Sequence, residues 1–163
     1  MHSLITFVGR YFIFLSILIA VVFWLRLAPR EKIALGWRVV VGGLLAQGLA
    51  QIASRLYYDT RPFVSEHVVP LIAHAPDNGF PSDHALLASF LGFVVLLYSR
   101  TTGLMLLVVA LLVGWARVAA HIHHPIDIIG SFAIAALAVA IIQVGAHATR
   151  LWRRRSSTQR QPA

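Results

Sequence analysis

Ala116-Arg117-Val118-Ala119-Ala120-His121-Ile122-His123-His124-Pro125-Ile126-Asp127-Ile128-Ile129-Gly130 places a guanidinium, three imidazoles and a carboxylate where two long apolar runs meet. Only 12% of the residues are charged. Ionisable groups beside hydrocarbon are costly, so the stretch marks either a site or a polar turn at the level of the lipid headgroups. Pro125 disfavours helical geometry at His124. The incoming helix is therefore expected to stop near Ala120 or His121, to leave His123 in a turn, and to let Asp127 open the next helix within reach of the His123 ring. A carboxylate bonded to one imidazole nitrogen fixes the tautomer and frees the other nitrogen to attack. Arg117 and His121, one helical turn apart, are expected to share a face.

Outward from this stretch, composition sets the class. The 163 residues are 58% hydrophobic with a mean hydropathy of +0.76, against roughly 45–50% apolar usage in soluble domains. This is the composition of an integral membrane protein. With no cysteine, neither a disulfide framework nor a thiolate metal site is available. The net charge of +8 does not point to nucleic acid, because the basic residues flank apolar runs, where they report membrane orientation.

The expected fold is all-α: a polytopic membrane helix bundle of about five transmembrane helices with a short interfacial segment at the N-terminus. Residues 1–149 form the membrane-embedded domain. Residues 150–163, with Arg150, Arg153, Arg154, Arg155 and Arg160, form a basic cytoplasmic tail, solvated, partly disordered and able to touch anionic lipid. The spans are expected at 11–25, 33–54, 83–99, 104–120 and 126–147, with a tight turn at 100–103. The first charge-free run, 15 residues from Tyr11 to Leu25, is short against the ~17–25 a span needs. The second is rich in small residues, among them Gly42, Gly43, Ala46 and Ala50, which let backbones approach in lipid. Gln47, Gln51 and Arg55 recur every fourth residue and are expected as a polar stripe facing the bundle.

Between residues 56 and 81 the apolar periodicity stops, and Pro62, Pro70, Pro76 and Pro81 interrupt the chain. Long connections of this kind are more often functional than not. This one opens on Tyr57-Tyr58-Asp59-Thr60-Arg61-Pro62-Phe63 and closes on Asn78-Gly79-Phe80-Pro81-Ser82-Asp83-His84. Ser82 fits the N-cap of the next helix. That start gathers backbone N–H groups, the Ser82 hydroxyl and His84 at a helix N-terminus, where anions bind readily.

Lysine and arginine set the topology. Arg26, Arg30, Lys32, Arg38, Arg100 and the five tail arginines, ten of the fourteen basic residues, fall on one side, read as cytoplasmic. Arg10, Arg55, Arg61 and Arg117 fall on the other. The two polar islands, 56–84 and 117–127, then meet on the same outer face.

Arg61-Pro62, Pro81-Ser82-Asp83-His84 and Arg117-x5-His123-x3-Asp127, in this order, resemble the three-part signature of the type 2 phosphatidic acid phosphatase superfamily. The Tyr-Tyr-Asp-Thr-Arg-Pro-Phe-Val opening and the Phe-Pro-Ser-Asp-His form of the middle motif look most like its bacitracin-resistance branch, the undecaprenyl-diphosphate phosphatases. The likeness spans about residues 33–145. It implies a metal-independent phosphatase without cofactor in a bacterial cytoplasmic membrane, its site facing outward and its C-terminus inward. The substrate would be a polyprenyl or phospholipid phosphate met among the membrane lipids, with undecaprenyl diphosphate first and phosphatidylglycerophosphate as the chief rival. It further implies that His123 is the nucleophile, Asp127 its orienting carboxylate and His84 the general acid, while Arg61, Ser82 and Arg117 bind the phosphoryl group.

Three departures stand out. Ser54 occupies the position of the usual motif lysine, so the adjacent Arg55 is the candidate phosphate-binding replacement. Asp83 stands where much of the superfamily has glycine, and His121 stands two before the nucleophile where glycine is common. His121 and His124 are read as interfacial. Two other classes remain open: a membrane metal-binding or transport protein with His121, His123, His124 and Asp127 as ligands, and a non-catalytic scaffold.

Overall fold

The computed structural model describes residues 1–158, with side chains described through residue 149. Among the described residues there is no β-strand, only an isolated antiparallel bridge between Thr60 and Asn78. The helices are α1 (His2–Arg26), α2 (Pro29–Leu56), a single turn α3 (Pro62–Ser65), α4 (Asp83–Leu96), α5 (Arg100–Ala119) and α6 (Pro125–Thr158). Four of them, α1, α2, α5 and α6 through Thr149, are long and apolar enough to cross a membrane. Many of their exposed side chains are apolar, among them Leu18, Leu44, Leu111, Trp115, Leu137 and Val144, as the lipid-facing surface of a bundle requires.

The fifth long element differs from expectation. At 14 residues, α4 is about 21 Å long at 1.5 Å per residue, short of the ~30 Å hydrocarbon core. It is the hub of the bundle. Ala85, Leu86, Ala88, Ser89, Phe90, Leu91, Gly92, Val94 and Val95 are buried, and α4 packs against α1, α2, α5 and α6. One core cluster joins Leu86, Phe90, Val94 and Val95 to Leu35, Ala46 and Ala50 of α2, Leu106 of α5, and Ala135, Ala138 and Val139 of α6. A second joins Ala88 to Ile13 and Ala110. A helix enclosed on most sides by four others need not span. Its N-terminus sits wherever the surrounding helices hold it. An apolar cavity of about 410 Å³ lies between α1, α2 and α4, lined by Ile17, Trp24, Leu35, Val39, Leu87 and Leu91, among others.

Other boundaries correct the sequence reading. Residues 1–9 are no separate interfacial segment: α1 starts at His2, and Ile5, Val8 and Gly9 are buried. Ile5 clusters with Ile72, Ala120 and Ile122, so the first turns of α1 brace the loop that follows α2. The residues expected as a turn at 100–103 are already helical, because the Ser99 side chain caps α5 by accepting from the Thr102 N–H. The polar stripe does not face the bundle interior. Gln47, Gln51 and Arg55 are exposed, and the two glutamines line an open cleft with Asn78, Phe80 and Asp83. The expected basic tail begins where α6 is still helical, and its side chains, like the backbone beyond Thr158, lie outside the described residues.

The α4–α5 turn depends on Gly103. A Cβ there would lie 2.5 Å from Leu96 Cα and 2.7 Å from Leu96 N, backbone atoms that cannot yield as a side chain does. Gly103→Val is expected to cost about 1–3 kcal/mol, read as a lowered melting temperature of the detergent-purified chain. Gly48→Ala, with nothing within 4 Å of its Cβ, is the control that should melt no lower than the parent.

Candidate active site

The α5 helix ends at Ala119, and His121 then takes a left-handed φ of 60°, a conformation histidine tolerates better than most residues. That reversal turns Ile122 and His123 inward while the His121 side chain stays exposed. Arg117 is buried, so the two do not share a face. The expected common face presupposed a helix that has already ended.

The turn is held from outside by the long loop. The carbonyls of Ala120, His121 and Ile122 accept in succession from the Leu71 N–H at 3.1 Å, the Phe63 N–H at 3.2 Å and Arg61 Nη1 at 2.8 Å. Phe63, Leu71 and Ile72 pack beside Ala120 and Ile122. Asn78 fastens the other end of the loop. Its Oδ1 accepts from the N–H groups of Asp59 (2.9 Å) and Phe80 (3.0 Å), and its Nδ2 donates to the carbonyls of Ser54 (2.9 Å) and Tyr57 (3.1 Å) at the end of α2. Gly79 follows where a side chain would crowd the site: its Cβ would lie 3.0 Å from Asp127 Oδ2 and 3.2 Å from Asp59 O.

Five of the predicted residues, Arg61, Ser82, Arg117, His123 and Asp127, are 0–5% exposed. His123 Nδ1 lies 3.1 Å from Asp127 Oδ2, which also accepts the His124 N–H at 2.9 Å. With Nδ1–H donated to the carboxylate, Nε2 keeps its lone pair, and Arg61 Nη1 lies 3.3 Å from it. Arg61 is aimed by three further bonds, Nε to Asp77 Oδ1 at 2.7 Å, Nη2 to Asn78 O at 3.2 Å, and Nη1 to Ile122 O as above. Burial pushes the His123 imidazole below its ordinary pKa, and the charges of Arg117 and Arg61 push the same way against the bond to Asp127. The ring is thus held neutral.

Ser82 precedes α4 as its N-cap residue. Its carbonyl accepts from Ser131 Oγ at 2.9 Å, and Ser131 Oγ also bonds Asp127 O at 2.7 Å, tying the start of α4 to the first turns of α6. The Ser82 hydroxyl is buried and has no protein partner, and the same holds for Arg117 Nε. His84, in the first turn of α4, is half-buried with Arg117, His123 and His74 near enough to act on it electrostatically. Two guanidiniums, two imidazoles, a hydroxyl and a helix N-terminus therefore converge, a set matched to a tetrahedral oxyanion.

Arg55 is exposed in the last turn of α2 and makes none of the hydrogen bonds of this cluster. His124 departs from the interfacial reading: its Nδ1 lies 2.7 Å from Asp59 Oδ2. Sequence reasoning missed His74, Asp77 and Asn78. The His74 ring stands edge-on to that of His123, with centroids 6.1 Å apart, and Asp77 is the counter-ion of Arg61. The proline-rich setting hid all three, although an Asn-Gly pair between prolines was a turn signal. The four-residue metal set of His121, His123, His124 and Asp127 is not assembled, because His121 is turned out to the surface. Asp59, His124 and Asp127 do offer donor atoms within 4.8 Å of one another. The 2.7 Å between His124 Nδ1 and Asp59 Oδ2 is a hydrogen-bond distance, closer than two ligands on one tetrahedral cation at ~2.0–2.2 Å would stand.

A family model described as the PAP2 superfamily matches residues 35–150. The bacitracin transport permease protein BcrC of Bacillus licheniformis is 31% identical over 129 residues, covering 78% of this chain and 63% of that protein. The undecaprenyl-diphosphatase BcrC of Bacillus subtilis is 31% identical over 137 residues, covering 83% and 69%. The chain thus spans about two thirds of the length of these relatives. In fold it is similar to LpxE of Aquifex aeolicus, at TM-score 0.68 and 22% identity over 85% of this chain and 84% of that one. It is also similar to a PAP2-type phosphatidylglycerolphosphate phosphatase of Bacillus subtilis, at TM-score 0.60 and 17% identity over 90% and 76%.

The loop anchor is testable apart from any activity. Asn78→Ala removes four hydrogen bonds, three of them partly buried, at about 1–3 kcal/mol in all. The expected result is a lower melting temperature together with faster proteolytic cleavage within residues 66–77, and an unchanged cleavage rate would show that Asn78 does not hold the loop.

Proposed function

Because the chain belongs to the PAP2 superfamily, we propose that it is a membrane phosphatase that converts undecaprenyl diphosphate to undecaprenyl phosphate on the outer face of a bacterial cytoplasmic membrane. The observation that carries this reading is the geometry at His123, whose Nδ1 is 3.1 Å from a fully buried Asp127 and whose Nε2 faces Arg61 at 3.3 Å. A neutral imidazole fixed in this tautomer presents its Nε2 lone pair to an electrophile such as phosphorus.

In this mechanism the terminal phosphoryl group sits between Arg61, Arg117, the Ser82 hydroxyl and the first amides of α4, which take its non-bridging oxygens. The Nε2 lone pair attacks phosphorus, and the bond to the bridging oxygen breaks. His84 protonates that oxygen as undecaprenyl phosphate leaves. Water, losing its proton to His84, then attacks the phosphohistidine. The P–N bond breaks, its electron pair returns to Nε2, and inorganic phosphate departs. Charge that grows on the equatorial oxygens meets guanidiniums already in place. No step requires a metal ion. The isoprenoid chain would run beside α4 into the apolar cavity between α1, α2 and α4, where Leu87 is one turn beyond His84. The outward orientation rests on the Lys and Arg asymmetry of the loops.

The test is phosphate release by the detergent-purified chain with chelator present, from a panel of undecaprenyl diphosphate, phosphatidylglycerophosphate and phosphatidate. Turnover of the first without metal is expected, with complete loss in His123→Ala and an acid-labile phosphoenzyme in the parent. A strict metal requirement, or an active His123→Ala variant, overturns the mechanism. Faster turnover of a phospholipid overturns the substrate. Since the His123 pKa is lowered, the nucleophile stays neutral as pH falls through the ordinary histidine value of ~6.5. The acid limb of kcat/KM attributable to it should therefore lie below that value.

A further inference from the structure

Behind the His123–Asp127 pair stands a second imidazole and carboxylate that the mechanism does not use. Asp59, in the loop after α2, places Oδ2 at 2.7 Å from His124 Nδ1. His124 Nε2 in turn lies 3.8 Å from Glu66 Oε1, just past α3. The His124 backbone N–H donates to Asp127 Oδ2, so the same residue touches both carboxylates, one with its ring and one with its main chain. The remaining Asp127 oxygen, Oδ1, is buried and unpartnered.

We propose that Asp59 and His124 form a positioning pair for the nucleophile, holding the turn that bears His123 against the loop that bears Arg61 and balancing the charge felt by Asp127. The role rests on the reading of His123 as nucleophile.

The charge argument is direct. Asp59 and Asp127 are two carboxylates in one partly desolvated volume. Asp59 has its pKa raised, first by burial and then by the charge of Asp127, while His124 opposes the rise. Two such carboxylates do not both stay ionised without a cation between them. The His124 ring, bonded to Asp59, and the His124 N–H, bonded to Asp127, stand between the two. The charged and titratable groups facing this pair are Glu66 from the end of α3 and Asp127 from the start of α6, with His123 bonded to Asp127 behind it. Removing the His124 imidazole takes away a group that can carry positive charge beside the carboxylates, so His123 then holds a proton more readily. Loss of the Asp59 charge makes His123 hold a proton less readily. That proton disables attack, because a protonated His123 has no lone pair.

The two substitutions must therefore move the acid limb of kcat/KM in opposite directions, an outcome that loss of packing alone would not produce. For phosphate release by the full chain, His124→Gln is expected to raise the limb by about one pH unit or more, and Asp59→Asn to lower it by a similar amount. The double variant should fall between them. Glu66→Gln, whose side chain is half exposed, gives a smaller downward shift, and it decides the matter if either of the other variants fails to fold. An unmoved limb in Glu66→Gln in that case, or shifts of the same sign or none in Asp59→Asn and His124→Gln, overturns the positioning role. If His123→Ala is inactive in the same assay, the nucleophile assignment survives that failure. A parent chain that releases no phosphate, or an active His123→Ala, overturns both.

Discussion

Asp127 is a carboxylate with no exposed surface, set at the junction of two apolar helices, and most of the architecture around it answers that constraint. Desolvating such a group costs several kcal/mol unless hydrogen bonds and neighbouring charge compensate. The His123 ring and the His124 N–H supply bonds to Oδ2. Gly79 keeps a side chain out of the space beside it, and Ser131 locks the Asp127 carbonyl and the start of α4 to one hydroxyl. The same contacts that make the charge tolerable define the tautomer of His123. Stability and chemistry are here one set of bonds.

The site lies at a helix start that no lipid-spanning rule would position. Because α4 is enclosed by α1, α2, α5 and α6, its length is free of the bilayer, and its N-terminus meets the α5–α6 turn at the depth where Ser82 and His84 are useful. Phe80 closes the joint: its ring lies where a Gly130 Cβ would stand, 2.2 Å from Cε2. The loop and α6 therefore fit only with glycine on the helix. Small residues in this bundle thus set approach distances for the site as well as for helix packing.

Much of this was legible in the residues. Pro125 and the apolar runs located the end of α5, the turn at His123 and the entry of Asp127, since local backbone rules govern all three. The meeting of the two islands followed from span count and Lys/Arg asymmetry. What failed depended on tertiary contacts. The first turns of α1 look interfacial until Ile72 is seen packed over Gly9. Gln47 and Gln51 look like an inward stripe until the loop supplies a cleft for them on the outside. His124 looks like one more headgroup-level imidazole because its partner, Asp59, is 65 positions away, and no period or motif links them. Asp77 and His74 were unreadable for the same reason: a loop with four prolines carries no periodicity from which to infer a face.

The electrostatic imbalance of the site is itself informative. Arg61 has a close counter-ion in Asp77, whose side chain is 61% exposed and so screened by solvent. Arg117 is buried, its Nε has no protein partner, and the charges acting on it are the like charge of Arg61 and the more helpful one of Asp83. A protein that needed these guanidiniums for stability alone would have paired both with buried carboxylates. Instead the one deeply buried acid, Asp127, is turned to His123, and the positive charge is left facing the start of α4. Such an arrangement is relieved by an anion and further relieved as that anion gains charge, which is the differential binding that catalysis requires. The excess of positive charge is thus a constraint on any ligand of the space between Arg61, Arg117 and Ser82: it must be anionic there.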